Sequence, residues 1–171
     1  MRPRPALFLD RDGVLVEDVG YPHRLEDLHW IAGAQEAVRL ANESDWWVFV
    51  ITNQSGVGRG LFGADAVEAF HAAMTQQLAA AGAHVDRFYS CFFHPEAVVA
   101  EWRHPDHPDR KPNPGMVLRA MVEHPVERAR AVMIGDRATD LEAARRAGVR
   151  GHLYKGGDLL SVVRSLIDSP L

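Results

Sequence analysis

The sequence has a single cysteine, no long apolar run and no surplus of positive charge. One cysteine excludes an internal disulfide and a four-cysteine metal site. No apolar run approaches the length that spans a bilayer, and the short run before Asp10 is too brief for the core of a signal peptide. The 23 acidic residues outnumber the 19 Lys and Arg, which argues against a general nucleic-acid binder. We therefore expect a cytoplasmic protein with no nucleic-acid or membrane partner.

The composition is typical of a folded protein. Of the 171 residues, 47% are hydrophobic and 25% are charged, a balance that differs from that of disordered chains. This length suits one domain of ordinary size, so we expect a single domain over residues 1–171.

Short apolar runs alternate with helical patterns along the chain. The predicted strands are Ala6–Leu9, Trp47–Ile51, Arg87–Phe93, Ala131–Ile134 and Gly151–Tyr154. Between the second and third strands, Val67, Phe70, Met74 and Leu78 recur at helical spacing. This alternation predicts an α/β fold, a doubly wound and mostly parallel sheet with helices on both faces.

Capping signals predict where two later helices begin and end. Asn113 before Pro114 has the pattern of an N-cap followed by proline at the first helical position. Thr139 and Glu142 have the spacing of a capping box, and Gly148 suits the C-terminal end of the same helix.

Polar residues follow three of the predicted strands. They are Asp10 with Asp12, the segment Thr52 to Ser55, and Asp136. Ligands bind beyond the carboxyl ends of strands in such sheets, so these segments are expected to converge on one crevice. Carboxylate and backbone oxygens there would suit magnesium. Taken alone, Asp10 to Gly13 is also ordinary turn chemistry.

Three further features each have two interpretations. Asp140 could cap a helix, or it could contact the metal ligands without binding the metal itself. Arg110 and Lys111 could bind phosphoryl groups or form a solvated basic pair. Gly58-x-Gly60-x-x-Gly63 matches the fingerprint of a dinucleotide-dependent oxidoreductase, but these glycines begin too far beyond the preceding strand, so we interpret the match as accidental.

Four segments together resemble the motifs of the haloacid dehalogenase (HAD) superfamily of phosphatases. They are Phe8–Val14, Thr52–Gly56, Arg110–Pro112 and Gly135–Asp140, and their order and spacing match across nearly the whole chain. The intervals between them leave no room for a large cap domain. Within the superfamily the chain resembles the heptose bisphosphate phosphatases and the related histidinol-phosphate phosphatases, and Gln54 to Gly56 favour the heptose branch.

The resemblance implies a role for each matched residue. Asp10 would be the nucleophile, Asp12 the general acid and base, and Thr52 and Lys111 would steady the transferred phosphoryl group. Asp10, the Asp12 carbonyl and Asp136 would hold Mg²⁺. The implied substrate contacts are Asp18, Gly20, Tyr21, Asn53, Gln54, Ser55, Arg110 and Arg137.

The resemblance also implies the reaction, which is removal of the 7-phosphate of a heptose 1,7-bisphosphate in nucleotide-heptose biosynthesis. The expected partner is this small phosphorylated sugar, bound by a monomer. The alternatives are a histidinol-phosphate phosphatase, a nucleic-acid 3'-phosphatase and a non-catalytic phosphate-binding module. The first two share parts of the same motifs, and the third would not need both Asp10 and Asp12.

The long loop Phe93 to Arg110 departs from the family pattern. Relatives often carry a structural zinc there, and the corresponding positions in this chain are Cys91, Phe93, His107 and Asp109. Phe93 cannot bind a metal, although His94 or His104 could substitute. We expect no structural zinc, and we expect the loop to be ordered by proline and by packing of Trp102.

Overall fold

The computed structural model describes residues 1–169 of the chain, and it is built around one parallel sheet. The strand order in the sheet is β3-β2-β1-β4-β5. The strands are β1 (Arg4–Leu9), β2 (Trp47–Asn53), β3 (Arg87–Cys91), β4 (Val126–Gly135) and β5 (Arg150–Leu153). The chain adds strands outward from β1 to β3 and then crosses to the other side of β1. The order therefore reverses between β1 and β4, where ligands bind in such sheets.

Helices cover both faces of the sheet. They are α1 (Ala34–Glu43), α2 (Ala64–Ala80), α3 (Gly115–Glu123), α4 (Ala138–Arg146) and α5 (Leu159–Asp168). Short 3₁₀ turns occupy Leu25–Asp27 and Ala100–Trp102. Helices α1, α2 and α5 share one apolar core with one face of the sheet, and α3 and α4 share a second core with the other. The doubly wound α/β fold is confirmed.

The central strands are buried along most of their length because both faces of the sheet are covered. Residues Ala6 to Leu9 of β1 are fully buried, and alternate residues enter different cores, with Leu7 and Leu9 in one and Ala6 and Phe8 in the other. This explains why the strand reads as a continuous apolar run. Leu9 pairs with Val50 of β2 and with Ile134 of β4, so β1 and β4 end at nearly the same level, and β2 continues three residues further to Asn53.

Most of the predicted elements are present, with shifted ends. Helix α2 buries Val67, Phe70, Met74 and Leu78, as the helical spacing predicts. The prediction of strand to Phe93 was wrong, since β3 ends at Cys91 where the chain leaves the sheet. Strand β5 begins and ends one residue earlier than predicted, and β4 begins five residues earlier.

Both predicted N-caps were wrong. Helix α3 begins at Gly115 with Pro114 as N-cap, because the Asn113 amide instead donates to Asp106 and to the carbonyl of His107. In α4, which begins at Ala138, the carboxylate of Asp140 accepts a hydrogen bond from the backbone N–H of Arg137 at 3.1 Å.

Thr139 and Glu142, the residues predicted to form the capping box of α4, do not cap this helix. Thr139 lies in the first turn of α4, and the Glu142 carboxylate pairs with Arg145 and Arg146. Gly148 follows the helix with a φ of 70°, as a C-terminal glycine should. Across residues 1–169, no helix is both long and apolar enough to cross a membrane.

Candidate active site

The predicted site residues converge at the carboxyl edge of the sheet. Asp10 follows β1 and Asp136 follows β4, the two strands between which the strand order reverses, and Asn53 ends the neighbouring β2. The backbone N–H of Asp10 donates to the carbonyl of Ile134 at 3.0 Å, which continues the pairing of β1 and β4 into the site. The topology thus places the two carboxylates opposite one another.

A cavity of about 290 Å³ opens at this edge. The lining residues are Asp10, Asp12, Asp18, Gly20, Tyr21, Asn53, Gln54, Ser55, Arg110, Lys111, Arg137, Thr139 and Asp140. All eight residues predicted to contact the substrate are among them. Thr52 and Asp136 do not line it, since Thr52 is buried beneath it and Asp136 borders a neighbouring open pocket.

Lys111 is the buried cation of the site. Its Nζ donates to Asp10 Oδ1 at 2.9 Å and to the carbonyl of Ile51 at 2.8 Å, and it lies 2.7 Å from Asp140 Oδ1. Three acceptors satisfy its three donor protons. The geometry therefore places a fixed positive charge beside Asp10, and the interpretation of Lys111 as a solvated cation was wrong.

Burial and charge act in opposition on Asp10. Burial raises the pKa of Asp10 to about 7, the negative charge of Asp140 adds to the rise, and Lys111 opposes it. Burial alone would lower the pKa of Lys111, but the charges of Asp10 and Asp140 raise it above its ordinary value. Lys111 therefore stays charged, and Asp10 is only partly ionised near neutral pH unless a further positive charge lies beside it.

The residues beside Asp10 fit a divalent cation. Oxygen atoms of Asp10, Asp136 and Asp140 lie within 4.8 Å of one another. Asp136 Oδ1 is buried and has no hydrogen-bond partner among residues 1–169. Gly13 leaves room for this carboxylate, since a Cβ there would lie 2.2 Å from Asp136 Oδ2. Both oxygens of Asp140 are already engaged, by Lys111 and by the Arg137 N–H, so Asp136 and Asp10 are the better ligands.

Gln54 connects two predicted catalytic residues. Its Nε2 donates to Thr52 Oγ1 at 2.7 Å and to Asp12 Oδ2 at 3.2 Å. Thr52 and Gln54 are buried, at 1% and 3% exposure, and Gln54 and Asp12 both line the cavity. Gln54 therefore orients the Asp12 carboxylate through a hydrogen bond at the cavity wall.

Asn53 joins the loop after β2 to the loop that carries Lys111. Its Nδ2 donates to the Lys111 carbonyl, and its Oδ1 accepts from the Lys111 N–H, both at 3.1 Å. This reciprocal pair spans 58 positions of sequence and fixes the backbone from which the Lys111 side chain extends.

Arginines surround the outer part of the cavity. Arg110 donates from Nη1 to the carbonyl of Phe93 at 3.2 Å, so the long loop before it determines where its guanidinium lies. Arg137 Nη2 donates to Asp18 Oδ2 at 3.4 Å across the opening. Tyr21 also lines the cavity and has a φ of 52°, and Gly20 before it has a φ of 81°. The arginines could bind a second anionic group remote from Asp10.

Aromatic packing orders the long loop. The Phe93 ring stacks on that of His107 with centroids 3.7 Å apart, and Trp102 packs edge-on against Phe92 and Phe93. The expected packing of Trp102 is thus present. Over residues 1–169, the grouped metal-ligand atoms belong to Asp10, Asp136 and Asp140, and Cys91 is not grouped with the loop histidines. The expectation about zinc stays a prediction.

The glycine fingerprint has a structural explanation. A Cβ on Gly58 would lie 2.6 Å from the carbonyl of Phe92, and Gly60 has a φ of 72°. These glycines allow a tight loop to pack against the segment after β3, and α2 begins only at Ala64. They do not form the strand-to-helix turn that holds a pyrophosphate.

Sequence reasoning missed the positions of Arg11 and Thr139 in the site. Arg11 is completely buried next to Asp12, which charge patterning does not predict because arginine is rarely buried. Asp140 both caps α4 and binds Lys111, so the capping interpretation is confirmed, and its support of a metal site stays a prediction. Asp140 is four residues after Asp136, and both lie near the start of α4, which places the two carboxylates close together.

Known proteins are similar to this chain in sequence and in fold. A family model described as HAD-hydrolase-like matches residues 109–160. The D-glycero-D-manno-heptose-1,7-bisphosphate 7-phosphatase of Thermosynechococcus vestitus is 46% identical, over 91% of this chain and 81% of its own length. The D-glycero-beta-D-manno-heptose-1,7-bisphosphate 7-phosphatase of Rhodopseudomonas palustris is 41% identical, over 96% of this chain and 91% of its own length.

A solved structure supports the same relationship. That of D,D-heptose 1,7-bisphosphate phosphatase from B. bronchiseptica, complexed with magnesium and phosphate, has a TM-score of 0.81 and 29% identity, over 95% of this chain and 98% of that one. The fold, the converging motifs and the extent of identity lead to one conclusion. The chain belongs to the D-glycero-D-manno-heptose-1,7-bisphosphate 7-phosphatase family of the HAD-like hydrolases.

Proposed function

We propose that this chain is a magnesium-dependent phosphomonoester hydrolase that removes the 7-phosphate of a heptose 1,7-bisphosphate through an aspartyl-phosphate at Asp10. The observation that carries the proposal is the pairing of Asp10 with Lys111 at the wall of a cavity that Asp12 also lines. We further propose that residues 1–171 act as one cytoplasmic, monomeric phosphatase domain without nucleic-acid or membrane partners.

Asp10 is the proposed nucleophile. Its Oδ1 accepts hydrogen bonds from Lys111 Nζ and from the Arg11 N–H, both at 2.9 Å. Within the described part of the chain, no hydrogen bond is made to its Oδ2, which remains available to attack phosphorus. Attack forms the aspartyl-phosphate and releases the sugar oxygen, and water then cleaves the intermediate, so that one difficult step becomes two.

Asp12 is the proposed proton carrier. In the first step it gives a proton to the leaving sugar oxygen, and in the second it takes one from the attacking water. Asp12 lines the same cavity as Asp10 and is two residues further along the chain. Thr52 and Lys111 would steady the phosphoryl oxygens, a requirement of phosphoryl transfer.

Asp10, Asp136 and the backbone carbonyl of Asp12 would hold magnesium. When bound there, the ion would supply positive charge that keeps Asp10 ionised and balances the charge on the phosphoryl oxygens. This fits the unpaired oxygen of Asp136 and the raised pKa of Asp10.

The outer residues of the cavity are proposed to recognise the rest of the substrate. Arg110 and Arg137 would bind the second phosphate, because a guanidinium can hold phosphate with two parallel hydrogen bonds. The uncharged contacts to the sugar would come from Gly20, Tyr21, Asn53, Gln54 and Ser55, with Asp18 beside Arg137.

A panel of phosphate esters tests this function. Phosphate release would be measured with magnesium for a heptose 1,7-bisphosphate, a hexose bisphosphate, histidinol phosphate, a 3'-phosphorylated oligonucleotide and an aryl phosphate, with Asp10→Asn as the inactive control. We expect the heptose bisphosphate to have the highest kcat/KM and to lose its 7-phosphate. Preference for histidinol phosphate or the oligonucleotide would replace the proposed substrate, and phosphate binding without turnover of any ester would refute hydrolysis.

A further inference from the structure

Arg11 is the largest side chain that is fully buried, with 0% exposure, and it lies between the two predicted catalytic carboxylates in the sequence. Burying a guanidinium removes it from water at a high cost, and an apolar side chain of similar volume often serves stability as well or better. Stability alone therefore does not account for an arginine at this buried position.

The guanidinium of Arg11 holds both oxygens of the Asp12 carboxylate. Its Nε donates to Oδ1 at 2.6 Å, and its Nη2 donates to Oδ2 at 3.1 Å. Two parallel hydrogen bonds of this kind fix orientation as well as distance. Since Gln54 donates to the same Oδ2, the carboxylate is restrained from two directions.

The remaining donors of Arg11 are anchored away from the cavity. Nη2 also donates to the carbonyl of Pro22 at 2.7 Å, which directly follows the cavity-lining Tyr21. Nη1 lies 3.2 Å from Nε2 of His71 on α2, and the guanidinium carbon lies 4.4 Å from the centroid of the Phe70 ring.

His71 can act as the acceptor of that contact. Burial, with a smaller contribution from the charge of Arg11, lowers the pKa of His71 to about 3. The ring is therefore neutral at physiological pH, and one nitrogen carries a lone pair for Arg11. His71 also stacks on Phe88, with centroids 4.3 Å apart, so its ring is held in place by the core.

We propose that Arg11 is a positioning residue. It holds the Asp12 carboxylate in the orientation needed for proton transfer to the leaving sugar oxygen, and through Pro22 it connects this carboxylate to the loop that lines the cavity. This inference rests on the proposed function, because it assigns Arg11 a role through the proton transfers of Asp12. His71 and Phe70 are its anchors on α2.

Arg11→Met tests the proposal, because it keeps an unbranched side chain beside Phe70 and removes every hydrogen-bond donor. Phosphorylation of Asp10 would be followed in single turnovers with two substrates. Release of a sugar alkoxide needs the proton from Asp12, whereas release of nitrophenolate from p-nitrophenyl phosphate does not. We expect about a 100-fold loss with the heptose bisphosphate and less than about a 5-fold loss with the aryl ester, since a misplacement of about 1 Å costs on that order. Arg11→Lys should recover part of the loss.

Equal losses with both substrates, or no loss with either, would overturn the positioning role. The proposed function is measured separately, by wild-type turnover and by the loss in Asp12→Asn, so its failure would be seen in proteins that retain Arg11. In an Asp12→Asn background, Arg11→Met should cause little further loss, because residues that act as one unit are not additive.

A second variant keeps the test decisive if Arg11→Met does not fold. His71→Phe retains a ring to stack on Phe88 and removes the acceptor for Arg11 Nη1. We expect a smaller loss with the same dependence on the leaving group, and His84→Phe, at an exposed histidine remote from the cavity, serves as the matched control. A loss that is equal for both substrates in His71→Phe, or no loss at all, would refute the chain of contacts from α2 to Asp12.

Discussion

Replacing Lys111 by methionine should destabilise the protein strongly, because Lys111 compensates two buried carboxylates. Its side chain is 4% exposed, and those of Asp10 and Asp140 are 11% and 2% exposed. Removing one partner of a buried ion pair costs about 3–5 kcal/mol, since the remaining charge is left in a poor environment. That is a large part of the stability of a typical domain, which is about 5–15 kcal/mol.

The loss of stability caused by Lys111→Met should increase with pH. Without Lys111, the pKa of Asp10 should rise further above the value of about 7 that it has beside the lysine. The folded variant then binds protons that the unfolded chain does not, so its stability falls as the pH increases. We therefore expect the deficit relative to wild type to be larger at about pH 9 than at about pH 6.

Urea unfolding with chelator present, followed by circular dichroism, measures these free energies of unfolding. Lys155→Met is the matched control, because Lys155 is the other lysine of the chain and is exposed. Lys111→Met combined with Asp140→Asn should recover part of the loss, since one of the two uncompensated charges is gone and the Asn oxygen can still cap α4. A deficit below about 1 kcal/mol, or one that does not grow with pH, would refute the assignment of Lys111 as the buried countercharge.

Three further predictions concern the rest of the molecule. Arg110→Ala should lower kcat/KM for a heptose bisphosphate at least about 10-fold more than for an aryl phosphate. The reason is that a lost hydrogen bond to a charged group costs about 1.5–3 kcal/mol, and only the bisphosphate has a second phosphate to form this bond. Equal losses for both substrates would assign Arg110 to the chemistry. The pKa of His71 is about 3 in the folded protein and 6.5 when unfolded. The free energy of unfolding of wild type should therefore fall relative to that of His71→Phe as the pH drops below 6.5, by at most about 1.4 kcal/mol per pH unit. A constant difference between the two proteins down to about pH 4 would show that the ring is not buried in its neutral form. Elemental analysis of protein purified without chelator or metal-affinity resin should show no bound zinc, because Phe93, which cannot bind a metal, stacks on His107. Stoichiometric zinc that resists dialysis would contradict this.

The sheet and the convergence of the site could be predicted because apolar runs ending in polar residues identify buried parallel strands. β1 illustrates this, since four fully buried residues lead directly to Asp10. The ends of helices α3 and α4 were less predictable, because Asn113 and Asp140 each had more than one available partner. Asn113 hydrogen-bonds within the preceding loop, and Asp140 serves the helix and Lys111 together.

Contacts between distant segments were beyond local reasoning. Nothing in the residues around Asn53 indicates that its amide pairs with the backbone of Lys111, and nothing near Arg11 indicates His71 on a helix 60 positions away. Such contacts depend on how the helices pack on the sheet. These contacts fix the positions of the motif residues relative to one another in the site.

Trapping the phosphorylated enzyme tests the central claim most directly. Protein mixed with heptose bisphosphate labelled in its 7-phosphate would be quenched in acid during the first turnover, digested and mapped by mass spectrometry. The proposed mechanism predicts label on the peptide that contains Asp10, at Asp10 itself, and its decay when water is allowed to react. Label on another residue, or phosphate release from an enzyme that never carries label, would contradict the mechanism.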